Sequence, residues 1–492
     1  MRLIGLDVGT TAVKAIALDE RGAVLARAER PYPLAMPRPG WAEQDPEDWW
    51  RASQEALAAV AGDDEILGIG LSGQMHGLVA LDAADQVIRP AILWNDQRTG
   101  AQCEAITDRV GAERLVALTG NRALTGFTAP KLLWLREHEP DAYARIAHVM
   151  LPKDYVRLRL TGERATDVAD ASGTLLLDVA QRGWSDEVID ALEIDAAWLP
   201  RLLESPAPSG TTAAGVPVAA GAGDQAAGAL GAGVSRPGLL SVVLGTSGVV
   251  LAARDEFAAD PEGRVHAFCH AAPDRWQAMG VMLSAASSLA WLQKVAAPGV
   301  PFEALIGEAA AWAPGADGLT FLPYLAGERT PHADPAARGA LTGLAQHHDR
   351  GALVRAVLEG VACGLRDCAD VVSGLDAGCS VAVARATGGG ARSTLWLQIV
   401  ASALELPIER LDVEEGAAFG AALLGGVAGG VWEDVDAAIA ATVRVRDVIE
   451  PEPAWIAPQR ELQERFRALY PKVGAGGATA EAVPAAAHDH GA

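Results

Sequence analysis

The stretch Leu3-Ile4-Gly5-Leu6-Asp7-Val8-Gly9-Thr10-Thr11 has a counterpart at mid-chain, Leu240-Ser241-Val242-Val243-Leu244-Gly245-Thr246-Ser247-Gly248, and this pair decides the fold. In each stretch an apolar run, typical of a buried strand, meets a short turn of glycine and hydroxyl residues. A second apolar run follows each turn, at residues 13–18 and 249–252. The pattern predicts two β-hairpins with these turns at their tips.

Both predicted tips suit phosphate binding. A glycine lets the backbone approach a ligand closely, and neighbouring N–H groups can point at a phosphate oxygen. One such turn is common in hairpins, but two of them, each opening one half of the chain, indicate two related domains that face a nucleotide. We therefore predict an ATP-dependent enzyme whose ATP contacts include Gly9, Thr10, Thr11, Gly245, Thr246 and Ser247.

Composition narrows the class of protein. A chain of 492 residues is too long for a single core, so two domains of roughly 200–250 residues are expected. Lys+Arg 40 against Asp+Glu 63 gives a formal charge of -23, which disfavours nucleic acid and anionic membranes as partners. The first residues meet an acid and glycines too early for a signal peptide, and no apolar run is long enough to span a membrane. Five scattered cysteines without a CxxC pair predict reduced thiols and a cytoplasmic location.

Periodicity along the chain predicts strands that alternate with amphipathic helices. Apolar spacing behind an acidic first turn predicts a helix over 46–61, and residues 67–71 form a short apolar strand. The Pro/Ser/Gly-rich residues 203–216 are typical of a loop. Beyond it we predict a strand at 216–220, a turn at 221–224 and a helix from 225, and in the second half helices near 284–294 and 350–373.

Several motifs together resemble the FGGY family of carbohydrate kinases over about residues 1–470, and within it they are most similar to bacterial xylulokinases. The motifs are Ser72 to Gly77, Leu93 to Arg98, Gly126 to Trp134, Leu151 to Tyr155, Gly223-Asp224, Phe321 to Leu325 with Gly327 to Pro331, and Gly388 to Arg392. A second family signature at 339–359 fits except at Ala352, where a polar residue is usual.

The resemblance implies an α/β fold of two ribonuclease-H-like, actin-like ATPase domains on either side of a central cleft. We expect an N-terminal kinase domain at 1–236 that binds sugar and carries the first phosphate hairpin. A nucleotide-binding C-terminal kinase domain at 237–450 follows. A C-terminal helix is expected at 451–473, and the Ala/Gly-rich residues 474–492 are expected to be disordered.

Asp224 is the candidate general base. It stands where a strand should end and a helix begin, next to a glycine that lets a substrate approach. A helix N-cap is the structural alternative, because Asp is favoured there. The family resemblance favours the catalytic role, since the catalytic Asp of these kinases occupies this place.

Asp7 is the candidate ligand for Mg²⁺. A carboxylate beside a phosphate-binding turn is suited to hold the ion through water, and Asp224 is the second candidate. A turn residue that satisfies its own backbone is the alternative for Asp7. Lys14, beyond the hairpin, is expected to be solvated surface, although a phosphate contact is open to it.

The sugar-binding candidates are Met75, His76, Trp94, Asp96 and Gln225. A histidine in a glycine-bounded turn can hydrogen-bond sugar hydroxyls through either ring nitrogen, and the resemblance implies that the Met75-His76 pair meets the substrate. Trp94 could stack on a sugar face or fill a core. Gln225 departs from the Asn often found at this position in xylulokinases, which weakens the substrate assignment.

Three successive glycines follow the apolar-rich residues 381–386. They let the backbone pass close to a flat group, and the resemblance implies contacts with adenosine from Gly388, Gly389, Gly390 and Ala391. A plain strand-to-helix turn would not need three glycines.

The function implied is ATP- and Mg²⁺-dependent phosphorylation of D-xylulose to D-xylulose 5-phosphate in xylose catabolism, with a homodimer as the family expectation. Another sugar or polyol, such as glycerol, ribulose or gluconate, is the nearest alternative substrate. An actin- or chaperone-like ATPase is the alternative from a different class, although such a protein has no need of Met75-His76 and Gly223-Asp224.

Overall fold

The computed structural model describes residues 1–375, 380–413 and 415–474. Apart from Gly474, the tail predicted to be disordered at 474–492 lies outside the described residues, and so does Cys379. Cys103, Cys269, Cys363 and Cys368 are free thiols. Among the described helices none combines the length and the apolar character that crossing a membrane requires.

The first half alternates short strands and helices around one large sheet. In chain order it contains β1 (Arg2–Val8), β2 (Ala12–Leu18), β3 (Val24–Pro31), β4 (Glu43–Gln44), α1 (Pro46–Ala61), β5 (Ile66–Gly73), β6 (Val79–Leu81), β7 (Ala91–Ile92), α2 (Gly100–Val110), α3 (Ala112–Thr119), α4 (Thr128–His138), α5 (Pro140–Tyr143), β8 (His148–Met150), α6 (Pro152–Thr161), β9 (Ala165–Asp167), α7 (Val168–Ala171), β10 (Leu177–Asp178), β11 (Gly183–Trp184), α8 (Asp186–Leu192), β12 (Arg201–Leu203), β13 (Pro208–Thr211), β14 (Pro217–Ala219), β15 (Ala222–Gly223) and α9 (Asp224–Gly231).

The second half is built in the same way. It contains β16 (Leu239–Leu244), β17 (Gly248–Arg254), β18 (His266–Cys269), β19 (Trp276–Met282), α10 (Ala286–Ala296), α11 (Phe302–Ala309), β20 (Thr320–Leu322), β21 (Ala340–Thr342), α12 (Arg350–Gly374), β22 (Val383–Thr387), α13 (Thr394–Leu404), β23 (Ile408–Leu411), α14 (Gly416–Ala428), α15 (Val435–Thr442), β24 (Val445–Ile449) and α16 (Pro453–Gly474).

The two large sheets share a plan. In the first, the order is β13-β14-β5-β1-β2-β3, with β15 beside β5. Strand β1 pairs antiparallel with β2 and parallel with β5. In the second, with the order β18-β19-β17-β16-β22-β23-β24, β16 pairs antiparallel with β17 and parallel with β22. Both predicted hairpins are therefore confirmed, and each opens the sheet of its half.

Helix α1 has the predicted bounds because its signals are local. Asp45 accepts a hydrogen bond from the Glu47 amide as N-cap, and Pro46 is the first helical residue. The helix buries Trp49 against side chains of the first sheet, such as Leu6 and Leu71. The predicted loop at 203–216 is wrong in part, because residues 208–211 form β13 and pair with β14.

Small residues let α14 pack directly on the first sheet and on α9. A Cβ added at Gly70 would lie 1.8 Å from the Ala421 carbonyl oxygen, and one at Gly420 would lie 1.8 Å from that of Ala227. A helix from the second half of the sequence thus covers strands of the first half. The domain boundary predicted near residue 237 stays a prediction.

Candidate active site

The candidate catalytic carboxylates, Asp7 and Asp224, lie where the neighbouring strands β1, β5 and β15 reach their carboxyl ends. In β5, Ser72 pairs with Asp7 of β1 on one side and with Ala222 of β15 on the other. Asp224 follows β15 directly as the first residue of α9. Strand ends of parallel sheets are where ligands bind in open α/β folds, so the topology brings Asp7 and Asp224 to one edge.

Asp7 lies at the end of β1, held by one short hydrogen bond. The Ser72 hydroxyl donates to its Oδ1 at 2.6 Å. Burial raises the pKa of the Asp7 carboxyl, while the Ser72 hydrogen bond and the Lys14 charge act in the opposite direction. Lys14 lines the same cavity as Asp7, so it faces the cleft and is not merely solvated surface.

Asp224 is not the N-cap of α9, since Gly223 takes that position. Burial is the larger cause, and the negative charge of Asp7 the second, that raises the pKa of Asp224 to about 7; the hydrogen bonds from Gln225 act in the opposite direction. A carboxyl group with a pKa near neutrality is suited to accept a proton from a substrate hydroxyl.

Met75 packs directly beneath the strand that leads to Asp224. A Cβ on Gly223 would lie 2.7 Å from Met75 Cγ and 3.0 Å from its Sδ, so only glycine fits there. Met75 is buried. The structure therefore brings the predicted sugar turn and the predicted base into contact through Gly223.

His76 has one ring nitrogen, Nε2, without a hydrogen-bond partner among the described residues. Its Nδ1 lies 2.7 Å from the Gly173 carbonyl oxygen. Burial lowers the pKa of His76 to about 3, with the Lys131 and Arg329 charges acting in the same direction. The ring is thus neutral and donates from Nδ1–H to Gly173, which leaves Nε2 to accept a hydrogen bond from a hydroxyl.

Residues outside the turn hold the backbone and the ring of His76 in place. His76 has a φ of 70°, a left-handed conformation that is costly for a side chain of this size. The Lys131 ammonium group donates to the His76 and Gly126 carbonyl oxygens, at 2.7 Å each. The Phe127 ring packs edge-on against the imidazole at 4.7 Å. These contacts hold the imidazole in one orientation.

Trp94 and Asp96 have different surroundings. The Trp94 side chain is 41% exposed and donates from Nε1 to the Thr10 hydroxyl at 3.0 Å, so it is not a core tryptophan. Asp96 is fully buried. Its oxygens accept from the Ala42 amide at 2.7 Å and from the Arg98 amide and guanidinium at 2.7–3.0 Å. With its lone pairs engaged in this way, Asp96 holds Arg98. The predicted contact of Asp96 with the sugar stays a prediction.

Gln225 contacts the candidate base. Its amide nitrogen lies 3.3 Å from Asp224 Oδ1 and donates to it. This contact can hold the carboxylate in one rotamer. A direct contact between Gln225 and the sugar stays a prediction.

Polar side chains hold the first hairpin tip from behind. The Tyr32 hydroxyl and the Gln74 amide both donate to the Gly9 carbonyl oxygen, the latter at 3.3 Å. Gln44 donates to the Thr10 carbonyl oxygen at 2.6 Å. The orientation of the tip is thus fixed before any ligand binds.

The second hairpin tip is anchored to the start of α10. The Ala285 amide donates to the Thr246 carbonyl oxygen at 3.0 Å, and the Ala286 amide donates to that of Gly245 at 2.9 Å. Gly388 has a φ of 89°, and a Cβ there would lie 2.7 Å from the Leu244 carbonyl oxygen. The glycine loop and the hairpin therefore touch backbone to backbone.

Two cavities meet at this glycine loop. One of about 740 Å³ is lined by Leu244, Gly245, Thr246, Ala286, Leu289, Phe302, Glu303, Ile306, Gly389, Gly390, Arg392, Ser393 and Trp396. The other, of about 540 Å³, is lined from both halves, by Asp7, Lys14 and Arg27 among others on one side and by Gly388, Gly389 and Arg392 on the other. An apolar cavity joined to a charged one has the character that a nucleoside triphosphate requires. The predicted contacts of ATP with the two hairpin tips (Gly9, Thr10, Thr11, Gly245, Thr246 and Ser247) and with residues 388–391 stay predictions.

Two features of this region were missed from the sequence. The Lys153 ammonium lies fully buried, 2.7 Å from Asp154, 2.7 Å from Asp167 and 2.9 Å from Asp170. Arg329 lies near His76. Both residues stand in motifs that carried the family resemblance, and in each motif a basic residue next to an acidic one was the available signal.

The comparison with protein families decides the class. Residues 2–231 match the N-terminal domain of the FGGY family of carbohydrate kinases, and residues 240–429 match its C-terminal domain. The chain belongs to the FGGY family of carbohydrate kinases. It is therefore an ATP-dependent sugar kinase as predicted, and the actin- or chaperone-like alternative is excluded.

Individual relatives agree with the family. The chain is 45% identical over 436 residues to the xylulose kinase of Escherichia coli (strain K12), covering 85% of this chain and 88% of that protein. A crystal structure of a kinase from Brucella ovis, titled a xyloylose kinase, matches with a TM-score of 0.90 and 42% identity over 96% of this chain and 100% of that one. The xylulose kinase of Rhodospirillum rubrum matches with a TM-score of 0.90 and 34% identity over 97% and 100%. The predicted fold, with two α/β halves around a cleft, is confirmed by these matches.

Proposed function

We propose that this FGGY kinase transfers the γ-phosphoryl group of ATP to O5 of D-xylulose, with Asp224 as the general base. The observation that carries the proposal is the contact of Gly223 with Met75. It brings a carboxyl group with a pKa of about 7 to a turn whose neutral His76 offers a free acceptor nitrogen. The names of its relatives favour xylulose over other sugars.

The reaction needs few protein groups. Asp224 takes the proton of the O5 hydroxyl while O5 bonds to the γ-phosphorus, and the bond from that phosphorus to the oxygen bridging to the β-phosphate breaks. ADP leaves with the electrons of that bond. His76 and Met75 hold the sugar in line, and the two hairpins hold the phosphates.

The two carboxylates also fit Mg²⁺. Asp7 and Asp224 are neighbouring oxygen donors. Burial and, second to it, the charge of Asp7 raise the pKa of Asp224, and a hard divalent cation would offset both. We propose that both would hold the ion, which neutralises phosphate charge when bound. The cytoplasmic location and the homodimer stay predictions.

A coupled ADP-release assay tests the proposal. Mg-ATP is offered with D-xylulose, D-ribulose, L-ribulose, glycerol or D-gluconate, and Asp224→Asn serves as the control for contaminating kinases. We expect the highest kcat/KM with D-xylulose. Preference for another member of the panel would refute the substrate, and sugar-independent ADP release alone would refute the proposed reaction.

A further inference from the structure

Arg329 is a buried arginine with no direct ion-pair partner among the described residues, although the nearby Glu328 charge partly offsets its own. It follows Glu328 in the loop after β20, and its amide donates to Glu328 Oε1 at 2.7 Å. No carboxylate of the described residues lies within 4.0 Å of its guanidinium. Burial lowers the pKa of this guanidinium, since a charge removed from water is costly without a partner. A group of this kind is suited to a ligand.

A chain of hydrogen bonds identifies the acceptor of one N–H group of the Arg329 guanidinium. The Asn121 amide nitrogen donates to the Thr119 carbonyl oxygen at 2.7 Å, which fixes Asn121 Oδ1 as an acceptor. His266 Nδ1 lies 2.6 Å from that oxygen and therefore carries the proton. His266 Nε2 then accepts from Arg329 Nη1 at 3.4 Å. The remaining donors of Arg329 have no such partner among the described residues.

The rings around Arg329 place it beside the sugar turn. Phe127 packs edge-on against both His76, at 4.7 Å, and His266, at 5.8 Å. Phe268 stacks on His266 at 5.4 Å and lies 6.2 Å from His76. The Arg329 charge lowers the pKa of both histidines, as expected for a guanidinium close to both rings.

We propose that Arg329 binds the acceptor sugar from the second half of the chain, donating hydrogen bonds to its oxygen atoms while His76 Nε2 accepts from a hydroxyl. This rests on the proposed sugar kinase activity and names a further residue of that site. An arginine supplies several donors in a fixed plane and no acceptor, which complements an imidazole nitrogen that only accepts. The sugar is thereby held by both halves.

The same loop is tied to the nucleotide side. Glu328 Oε1 also accepts from the Leu283 amide at 3.0 Å. Two residues further on, the Ala285 amide holds the Thr246 carbonyl of the second phosphate hairpin. A sugar bound to Arg329 therefore restrains the segment that positions this hairpin. We expect sugar and nucleotide to raise each other's affinity, because coupling between two sites is reciprocal.

The test compares Arg329→Met and Arg329→Lys with Arg338→Met. Arg338 is the matched control because it lies exposed nearby and donates only to the Pro335 and Ala337 carbonyl oxygens. For Arg329→Met we expect the sugar KM to rise about 10- to 100-fold, with little change in Tm or in the affinity for a non-hydrolysable ATP analogue measured without sugar. The sugar KM of Arg329→Lys should lie between those of the wild type and Arg329→Met, and the sugar KM of Arg338→Met should equal that of the wild type.

Chemical rescue separates binding from a structural role. In Arg329→Ala, added ethylguanidinium should restore part of the kcat/KM for the sugar, and sugar should no longer tighten binding of a non-hydrolysable ATP analogue. An unchanged sugar KM in folded Arg329 variants would overturn the proposal, and so would loss of activity that tracks loss of Tm without rescue. If the wild type prefers another sugar, that sugar is used, so failure of the D-xylulose assignment stays distinct from failure of Arg329.

Discussion

Asp224→Asn should abolish turnover and yet make the protein more stable. The amide has nearly the shape of the carboxyl group but takes no proton from the sugar hydroxyl. We expect kcat to fall by about 10² to 10⁴. The ATP affinity should be kept, because neither phosphate hairpin is changed. The stability gain follows from the electrostatics of the site, in which burial and Asp7 both disfavour the charged form of Asp224.

The size of the gain follows from the pKa. Raising the pKa from 3.8 to about 7 corresponds to about 4 kcal/mol against the folded state when Asp224 is ionised. We take about half of this, since Asp224 is only half-buried and solvent screens part of the charge. For cooperative unfolding of a chain of 492 residues, about 2 kcal/mol corresponds to about 2 °C in Tm.

The pH range of the effect is also fixed. Below about pH 4 the carboxyl group is protonated in both folded and unfolded chains and contributes nothing. As the pH rises to 7 the unfolded chain ionises first, because its pKa is the lower one, and the wild type loses stability relative to the variant. The advantage of Asp224→Asn should therefore grow between pH 4 and 7 and stay constant above pH 7.

Thermal unfolding of both proteins from pH 4 to pH 8, beside the ADP-release assay, measures both effects. Asp63→Asn, at an exposed residue in the turn after α1, is the control and should change neither kcat nor Tm. Normal turnover in Asp224→Asn would remove Asp224 from the role of base. A Tm difference that is the same at every pH would refute the electrostatic account.

Three further predictions concern neighbouring residues. His76→Ala should raise the sugar KM far more than the ATP KM. In the wild type the sugar KM should show no histidine titration between pH 5.5 and 8, because the pKa of His76 is lowered to about 3. Steady-state kinetics across this range test both statements, and an unchanged sugar KM in the variant or a histidine titration in the wild type would contradict them. Gly388→Ala should cost about 1–3 kcal/mol in urea unfolding, since its φ of 89° and its close backbone neighbour exclude a Cβ. Gly389→Ala, with open space around the added Cβ, should cost little, and equal losses would contradict the steric argument. Lys153→Met should lower the free energy of unfolding by about 3–5 kcal/mol, because it leaves buried carboxylates without their cation. The control Lys14→Met, on the exposed side of β2, should leave the free energy of unfolding nearly unchanged.

Elements with local signals were predictable from the sequence. The two hairpins and α1 depend on apolar runs, turns and a cap that lie within a few residues of one another. Strand β13 was not predictable in this way. Its Pro208 and Gly210 are poor strand formers, and the segment is a strand only because β14 supplies the hydrogen bonds.

The same distinction between local and long-range signals applies to the candidate site. Asp7 and Asp224 were predictable because a strand end and a glycine mark each of them. The surroundings of Asp96 were not predictable, because its donors include the Ala42 amide, a contact made across more than fifty residues that no local pattern contains. Arg329 was missed for the same reason, since its surroundings come from β18 and from residues 121–127 of the first half.

The unfavourable charges of the candidate site match the components of the reaction. Asp7 and Asp224 repel each other, which a bound cation would offset, and the Arg329 guanidinium lacks an acceptor that sugar oxygens would provide. Each group destabilises the free protein and is satisfied by one component of the reaction. The two carboxylates belong to the first half of the chain and Arg329 to the second, so a sugar that contacts both Asp224 and Arg329 connects the two halves. We expect transfer of the phosphoryl group to water to be slow without sugar, because the sugar then neither connects the halves nor excludes water from the cleft.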